Sequence, residues 1–157
     1  MRFIKIIMYS LSLVSALLSF QYDSIYTTIL SCPFLLAFAV TIHELGHALG
    51  CFINHNKLLV LRTPFFIYDD SKFDIMPCFT LHFMCLFKKS ASNYRVYFAG
   101  LFSSFVLFVV FGVCSLLTGS TVFAIGCVLS GGILVINLLP VKGNDMYMVI
   151  HEFKKKR

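Results

Sequence analysis

Four long apolar runs, separated by short polar breaks, constrain this chain more than any other feature of it. A hydrocarbon core about 30 Å thick needs about 20 apolar residues of helix to cross it, since each residue advances the helix by about 1.5 Å. The runs at about 3–20, 25–53, 94–117 and 121–139 meet or approach that length. Composition agrees: 59% of residues are hydrophobic and 13% charged, about half the charge fraction of an ordinary soluble domain. That is too little polar side chain to solvate a globule of 157 residues. The fold expected is an all-α polytopic membrane protein with four transmembrane helices, forming one integral membrane domain over 1–157.

The first run opens with Arg2 and Lys5, which also suits a signal peptide. The residues at its end, Leu17, Leu18, Ser19 and Phe20, make a poor cleavage site, so an uncleaved helix is expected. Pro33 could kink the second run, and Pro140 stops the fourth, because proline lacks the N–H a helix needs. Only Thr118, Gly119 and Ser120 part the last two runs, which predicts a tight antiparallel hairpin. Between the second and third runs, residues 54–93 are apolar in patches but broken by Pro64, Asp69, Asp70, Asp74 and Pro77. Their β-branched and aromatic content predicts short strands over about 58–87, at or dipping into the membrane surface.

Lys and Arg favour the cytoplasmic side of a membrane. With the N-terminus inside, the external loops near 21–24 and 118–120 carry neither, and all thirteen basic residues fall on the inner side. This predicts a multi-pass protein of a bacterial-type plasma membrane with both termini cytoplasmic, ending in a basic tail at 151–157. The net charge of +6 does not point to nucleic acid, because the basic residues edge apolar runs instead of striping a soluble face with aromatics. The six cysteines (Cys32, Cys51, Cys78, Cys85, Cys114 and Cys127) show no C-x-x-C pair and read as small buried apolar groups.

Chemistry enters with His43-Glu44-Leu45-Gly46-His47 in the second run. Histidines four apart share one face of a helix, so both imidazoles can reach one metal ion. Glu44 then stands beside a water on that metal instead of ligating it. Zinc lowers the pKa of such a water toward about 7, and a carboxylate can take its proton as it attacks a carbonyl. Chance places this pattern in about 0.002 of chains of this composition. The bland alternative, two packed histidines and a satisfied glutamate, is costly inside a membrane, where uncompensated ionisable groups usually mark function. His47 lies ten residues before Lys57, roughly 15 Å along a helix.

A catalytic zinc wants three protein ligands and one open position. The extended pattern H-E-x-x-H-x-x-G-x-x-H matches at Gly50 but has Ile53 in place of its last histidine, so that subclass is excluded. Downstream, Glu152 is a candidate in a basic tail, and His55, His82 and His151 lack supporting spacing. Asp145 is the remaining candidate, in the sequence Asn137-Leu138-Leu139-Pro140-Val141-Lys142-Gly143-Asn144-Asp145.

The two segments together resemble the site-2 protease family of intramembrane zinc metalloproteases. That family pairs H-E-x-x-H on one membrane helix with N-x-x-P-x-x-x-x-D near the end of a later one, and Asn137, Pro140 and Asp145 match the second motif in the right order. The likeness spans about 25–150, and Phe98-Ala99-Gly100 is similar to the family's Ala-Gly-Pro element. Two departures stand out: Met146 where the family usually has Gly, and Leu101 where Pro is common. The resemblance implies that Asp145 is the third ligand of one zinc per chain and that Asn137 lines the substrate groove. It implies an intramembrane endopeptidase with Glu44 as base, cutting membrane-protein or membrane-peptide substrates near the cytoplasmic face. The chain would be a minimal core without a PDZ- or CBS-type domain.

Two other classes compete. One is a non-catalytic membrane or immunity protein that keeps the zinc site as a staple, against which the intact Glu44 argues. The other is a metal transporter, which would ordinarily show repeated halves and a polar path through both leaflets. Gly126, Gly131 and Gly132 in the fourth run permit close helix packing, within the chain in preference to between two copies. Neither a partner nor an oligomeric state is specified.

Overall fold

The computed structural model describes residues 2–19, 24–69, 72–75, 84–88 and 94–154. Cys78, His82, Pro77, Asp70, residues 21–23 and residues 155–157 lie outside these, and with them part of the predicted strand segment, external loop and basic tail. Among the described residues there are five helices: α1 (Arg2–Ser19), α2 (Ile25–Ile53), α3 (Tyr94–Thr118), α4 (Thr121–Leu138) and α5 (Asp145–Lys154). Between α2 and α3 stand four short strands, β1 (Leu58–Arg62), β2 (Ile67–Asp69), β3 (Lys72–Asp74) and β4 (Met84–Phe87). The protein is thus mostly helical with one small antiparallel sheet.

Among the described residues, three helices are long and apolar enough to cross a membrane: Tyr26–Ile53, Tyr94–Thr118 and Thr121–Leu138. Large apolar side chains stay on the outside of this bundle, among them Phe52, Leu116, Leu117 and Val128. Water would penalise such a surface and lipid does not, which marks a membrane protein. The first run does form a helix, but its described apolar portion, Ser10–Ser19, is shorter than a crossing requires. It packs on α2 through Ser12, Ser15, Ala16 and Ser19, all buried, and the Ser15 hydroxyl donates to the Thr27 carbonyl at 3.0 Å. Pro33 lies inside α2 without ending it.

α2 is the central element, touching α1, α3, α4 and the sheet. At one end of the bundle the hydroxyls of Thr28 and Thr121 are 3.1 Å apart. Leu35, Phe111 and Val122 form a buried cluster in the same half. A Cβ on Gly126 would sit 3.0 Å from the Phe111 ring, and one on Gly131 would sit 3.1 Å from Phe108. These glycines therefore receive aromatic rings from α3 within the chain, whereas Gly132 has nothing within 4 Å.

The sheet runs β3-β2-β1-β4, antiparallel throughout, with β4 at an edge. Its β1–β2 turn is fixed locally by Thr63, whose Oγ accepts from the amides of Phe65 and Phe66 at 3.3 and 3.1 Å. Past that turn, Phe65 meets Phe34 of α2, with ring centroids 5.9 Å apart. Phe34 precedes Ile53 by 19 residues, about 28 Å of helix. The turn between β1 and β2 therefore lies alongside α2, well back from its C-terminal end.

The segment after α4 also differs from expectation. In place of a turn leading into a tail, residues 145–154 form α5, which packs on α3. Gly143 makes the reversal between α4 and α5 with φ of +105°, a conformation that a Cβ disfavours. Asn144 secures it by donating from Nδ2 to the Ile136 carbonyl at 2.6 Å.

Candidate metal centre

His43 and His47 project from one face of α2, and the Gly143 turn returns Asp145 to meet them. Asp145 Oδ2 lies 3.1 Å from His43 Nε2 and 3.2 Å from His47 Nε2, and the two Nε2 atoms are 3.2 Å apart. All three residues are buried. They form a group that could hold a metal ion.

The protonation pattern supports that use. His47 Nδ1 sits 2.9 Å from the Val96 carbonyl oxygen, which only accepts, so Nδ1 carries the proton and Nε2 presents its lone pair. His43 Nδ1 has the Ser104 hydroxyl 2.8 Å away, a partner that leaves its Nε2 free in the same way. Asp145 Oδ2 is buried and accepts no hydrogen bond. Three acceptor atoms in a triangle of edge about 3.2 Å repel one another unless a cation lies among them. Tetrahedral bonds of about 2.0 Å separate ligand atoms by about 3.3 Å, so the donor set fits a small metal ion. With no cation among them, burial pushes the Asp145 carboxyl up, but the two facing imidazoles, once protonated, outweigh it and hold it down at about 2.

Glu44 stands beside this group, buried, and its Oε2 has no hydrogen-bond partner. Such an orphaned oxygen is costly and is typically retained where chemistry needs it. A cavity of about 270 Å³ opens on the site, lined by His43, Glu44, His47 and Asp145, by Asn137 and Gly143, by Tyr97 and by Met84, Cys85 and Phe87 of β4. Asn137 donates from Nδ2 to the Ile133 carbonyl at 3.1 Å. The five residues singled out in sequence therefore line one cavity.

The rival third ligands among the described residues do not join it. Glu152 lies further along α5, His151 is exposed and stacks on Tyr147 at 6.0 Å, and His55 sits past the end of α2 with φ of 53°. Leu101, where the resembling family often has Pro, is a buried residue within an unbroken α3. Met146 occupies the first turn of α5.

Several site-building residues carry no motif of their own: Ser104, the Val96 carbonyl, Tyr97 and the β4 side chains. A readable signal did exist for the helix contact. Gly46 and Gly50, four apart within the motif-bearing helix, are a close-packing pair. A Cβ on Gly46 would lie 2.7 Å from the Ala99 carbonyl oxygen, and one on Gly50 would lie 2.8 Å from the Ala99 Cβ. On α3, a Cβ on Gly100 would lie 2.5 Å from His47 Nε2 and 2.6 Å from Nδ1. Only glycine lets the ring lie there.

Fold and site define a helical membrane protein with a small antiparallel sheet and a buried His-His-Asp group beside an orphaned carboxylate. No family model, curated protein or solved structure matches the chain.

Proposed function

We propose that the protein is an intramembrane zinc metalloendopeptidase of the site-2 protease type, with His43, His47 and Asp145 as ligands and Glu44 as base. The observation that carries this is the convergence of three buried acceptor atoms at about 3.2 Å with an unpartnered Glu44 oxygen beside them, at a cavity. When bound, zinc would polarise the scissile carbonyl and make water acidic enough to be deprotonated near neutral pH. Glu44 takes the proton from the attacking water and passes it to the leaving amine. Val96 holds His47 in the tautomer that turns the Nε2 lone pair inward, and Ser104 holds the His43 ring in place. Asn137, on the cavity wall, offers its amide to substrate backbone.

A membrane helix hides its carbonyls in its own hydrogen bonds, so a substrate must unwind before it is cut. β4 is an edge strand whose side chains line the cavity, and an unwound substrate can add to it as a further strand. Substrates of this reading are membrane proteins or membrane peptides. A structural staple has no use for an unpaired glutamate, which favours the enzyme over the non-catalytic alternative.

Elemental analysis of detergent-purified protein tests the reading. About one zinc per chain is expected in wild type, with marked loss in Asp145→Ala, followed by a substrate screen in which Glu44→Gln keeps zinc but does not cleave. Absence of zinc from wild type under chelator-free conditions would overturn it. Proline substitutions along β4 should reduce cleavage while leaving zinc bound, and unchanged cleavage would sink the strand-addition idea.

A further inference from the structure

Two of the cysteines meet beside the metal centre. Cys51 follows His47 by four residues, so it lies on the same face of α2, and its exposure is 1%. Cys85 pairs in register with Leu61. Directly opposed residues share a face of a sheet, and Leu61 is 3% exposed, so this row turns inward, toward α2. The Cys51 and Cys85 thiols lie close enough to interact with one another, and Cys85 also borders the cavity. Among the other described cysteines, Cys32 donates to its own helix at the Thr28 carbonyl, and Cys114 and Cys127 lie on the membrane-length helices α3 and α4.

We propose that Cys51 and Cys85 form a reactive dithiol that exchanges with a small disulfide admitted through the metal cavity, closing to a bond that ties the edge strand β4 to α2. The thiolate of Cys85, the member that the cavity exposes, attacks one sulfur of R–S–S–R. The S–S bond breaks and RSH leaves with the proton Cys85 gave up. Cys51 then loses its proton and attacks the Cys85 sulfur of the mixed disulfide, expelling a second RSH. Two protein thiols and one disulfide thus become one protein disulfide and two thiols, with two electrons passed to the reagent. Exchange runs through a thiolate, so it quickens as pH rises. Pinning β4 would also immobilise the strand on which a substrate would add; that consequence rests on the protease reading, whereas the dithiol does not.

The test uses the full chain in detergent at about pH 8.5, with oxidised glutathione as the probe. Free thiols are then blocked with N-ethylmaleimide and unreduced peptides are mapped by mass spectrometry. A Cys51–Cys85 linked peptide is expected at least about tenfold above any other pair. Cys51→Ser should leave glutathione trapped on Cys85, and Cys85→Ser should leave Cys51 unmodified. Absence of the linked peptide, or linkage of Cys51 to other cysteines in equal amount, overturns the proposal. Neither zinc nor cleavage is read, so failure of the protease reading leaves this result distinguishable.

Discussion

Gly100→Ala is the sharpest probe of how the two central helices build the metal centre. The new methyl would lie 2.5 Å from His47 Nε2 and 2.6 Å from Nδ1. Carbon contacts relax only near roughly 3.5 Å, so the imidazole must retreat from α3 by about 1 Å. Val96 belongs to α3 as well, and the 2.9 Å bond from Nδ1 to its carbonyl would stretch past the usual limit of about 3.2 Å. Metal bonds tolerate displacements of only about 0.2 Å. Loss of an outer hydrogen bond alone weakens metal binding about 10–100-fold, and here the ligand itself moves. At least a 100-fold loss of affinity is expected, about 2.8 kcal/mol. Competition against a chelator of known affinity measures it. Gly112→Ala is the control: same helix, same change, but its Cβ meets only Cys127 Sγ at 3.5 Å, an ordinary contact. Gly100→Ala binding metal within twofold of wild type would refute the reasoning, because the ring would then have room that the geometry denies it.

Three more outcomes follow from the same geometry. Ser104→Ala removes the partner of His43 Nδ1 and should weaken metal binding about 10–100-fold in the same competition assay; no change would show that the hydroxyl does not orient the ring. Gly46→Ala drives a methyl to 2.7 Å from a backbone oxygen of α3, which cannot swing aside, and should cost about 1–3 kcal/mol, read as a lower melting temperature in detergent. The Asp145 carboxyl sits at about 2, below its ordinary value of 3.8. A depressed carboxylate stabilises the fold above its unfolded pKa and loses that contribution as pH falls through the folded one. Metal-free wild type should therefore lose stability between about pH 4 and pH 2 more steeply than Asp145→Asn, and parallel melting curves would contradict it.

Much of this was legible in the chain itself. Helix α2 matches its expected limits, and α3 and α4 differ from theirs by one residue each, because long apolar runs ended by Gly, Ser or Pro leave the backbone little choice. The proximity of His43, Glu44 and His47 was equally readable, since four-residue spacing on a helix settles it without tertiary contacts. α5 was missed: its ten residues mix polar and apolar side chains, and its Asp145 lies in the first turn, past a turn that Gly143 alone permits. The seat of the sheet on α2 was not legible either. Strand propensity locates β1 and β4 but says nothing of Phe65 seated against Phe34, a contact across thirty intervening positions in the numbering.

The sequence by itself determined the apolar class of the protein, the helices, and which side chains share the α2 face, all properties of spacing along one chain. Only the tertiary structure decided that Asp145 reaches within 3.2 Å of both imidazoles. It alone decided that Ser104 and Val96 hold the two rings at Nδ1 and that Gly100 makes room for His47. Those are relations between helices, fixed by how closely two backbones approach and by a turn whose direction no local preference specifies.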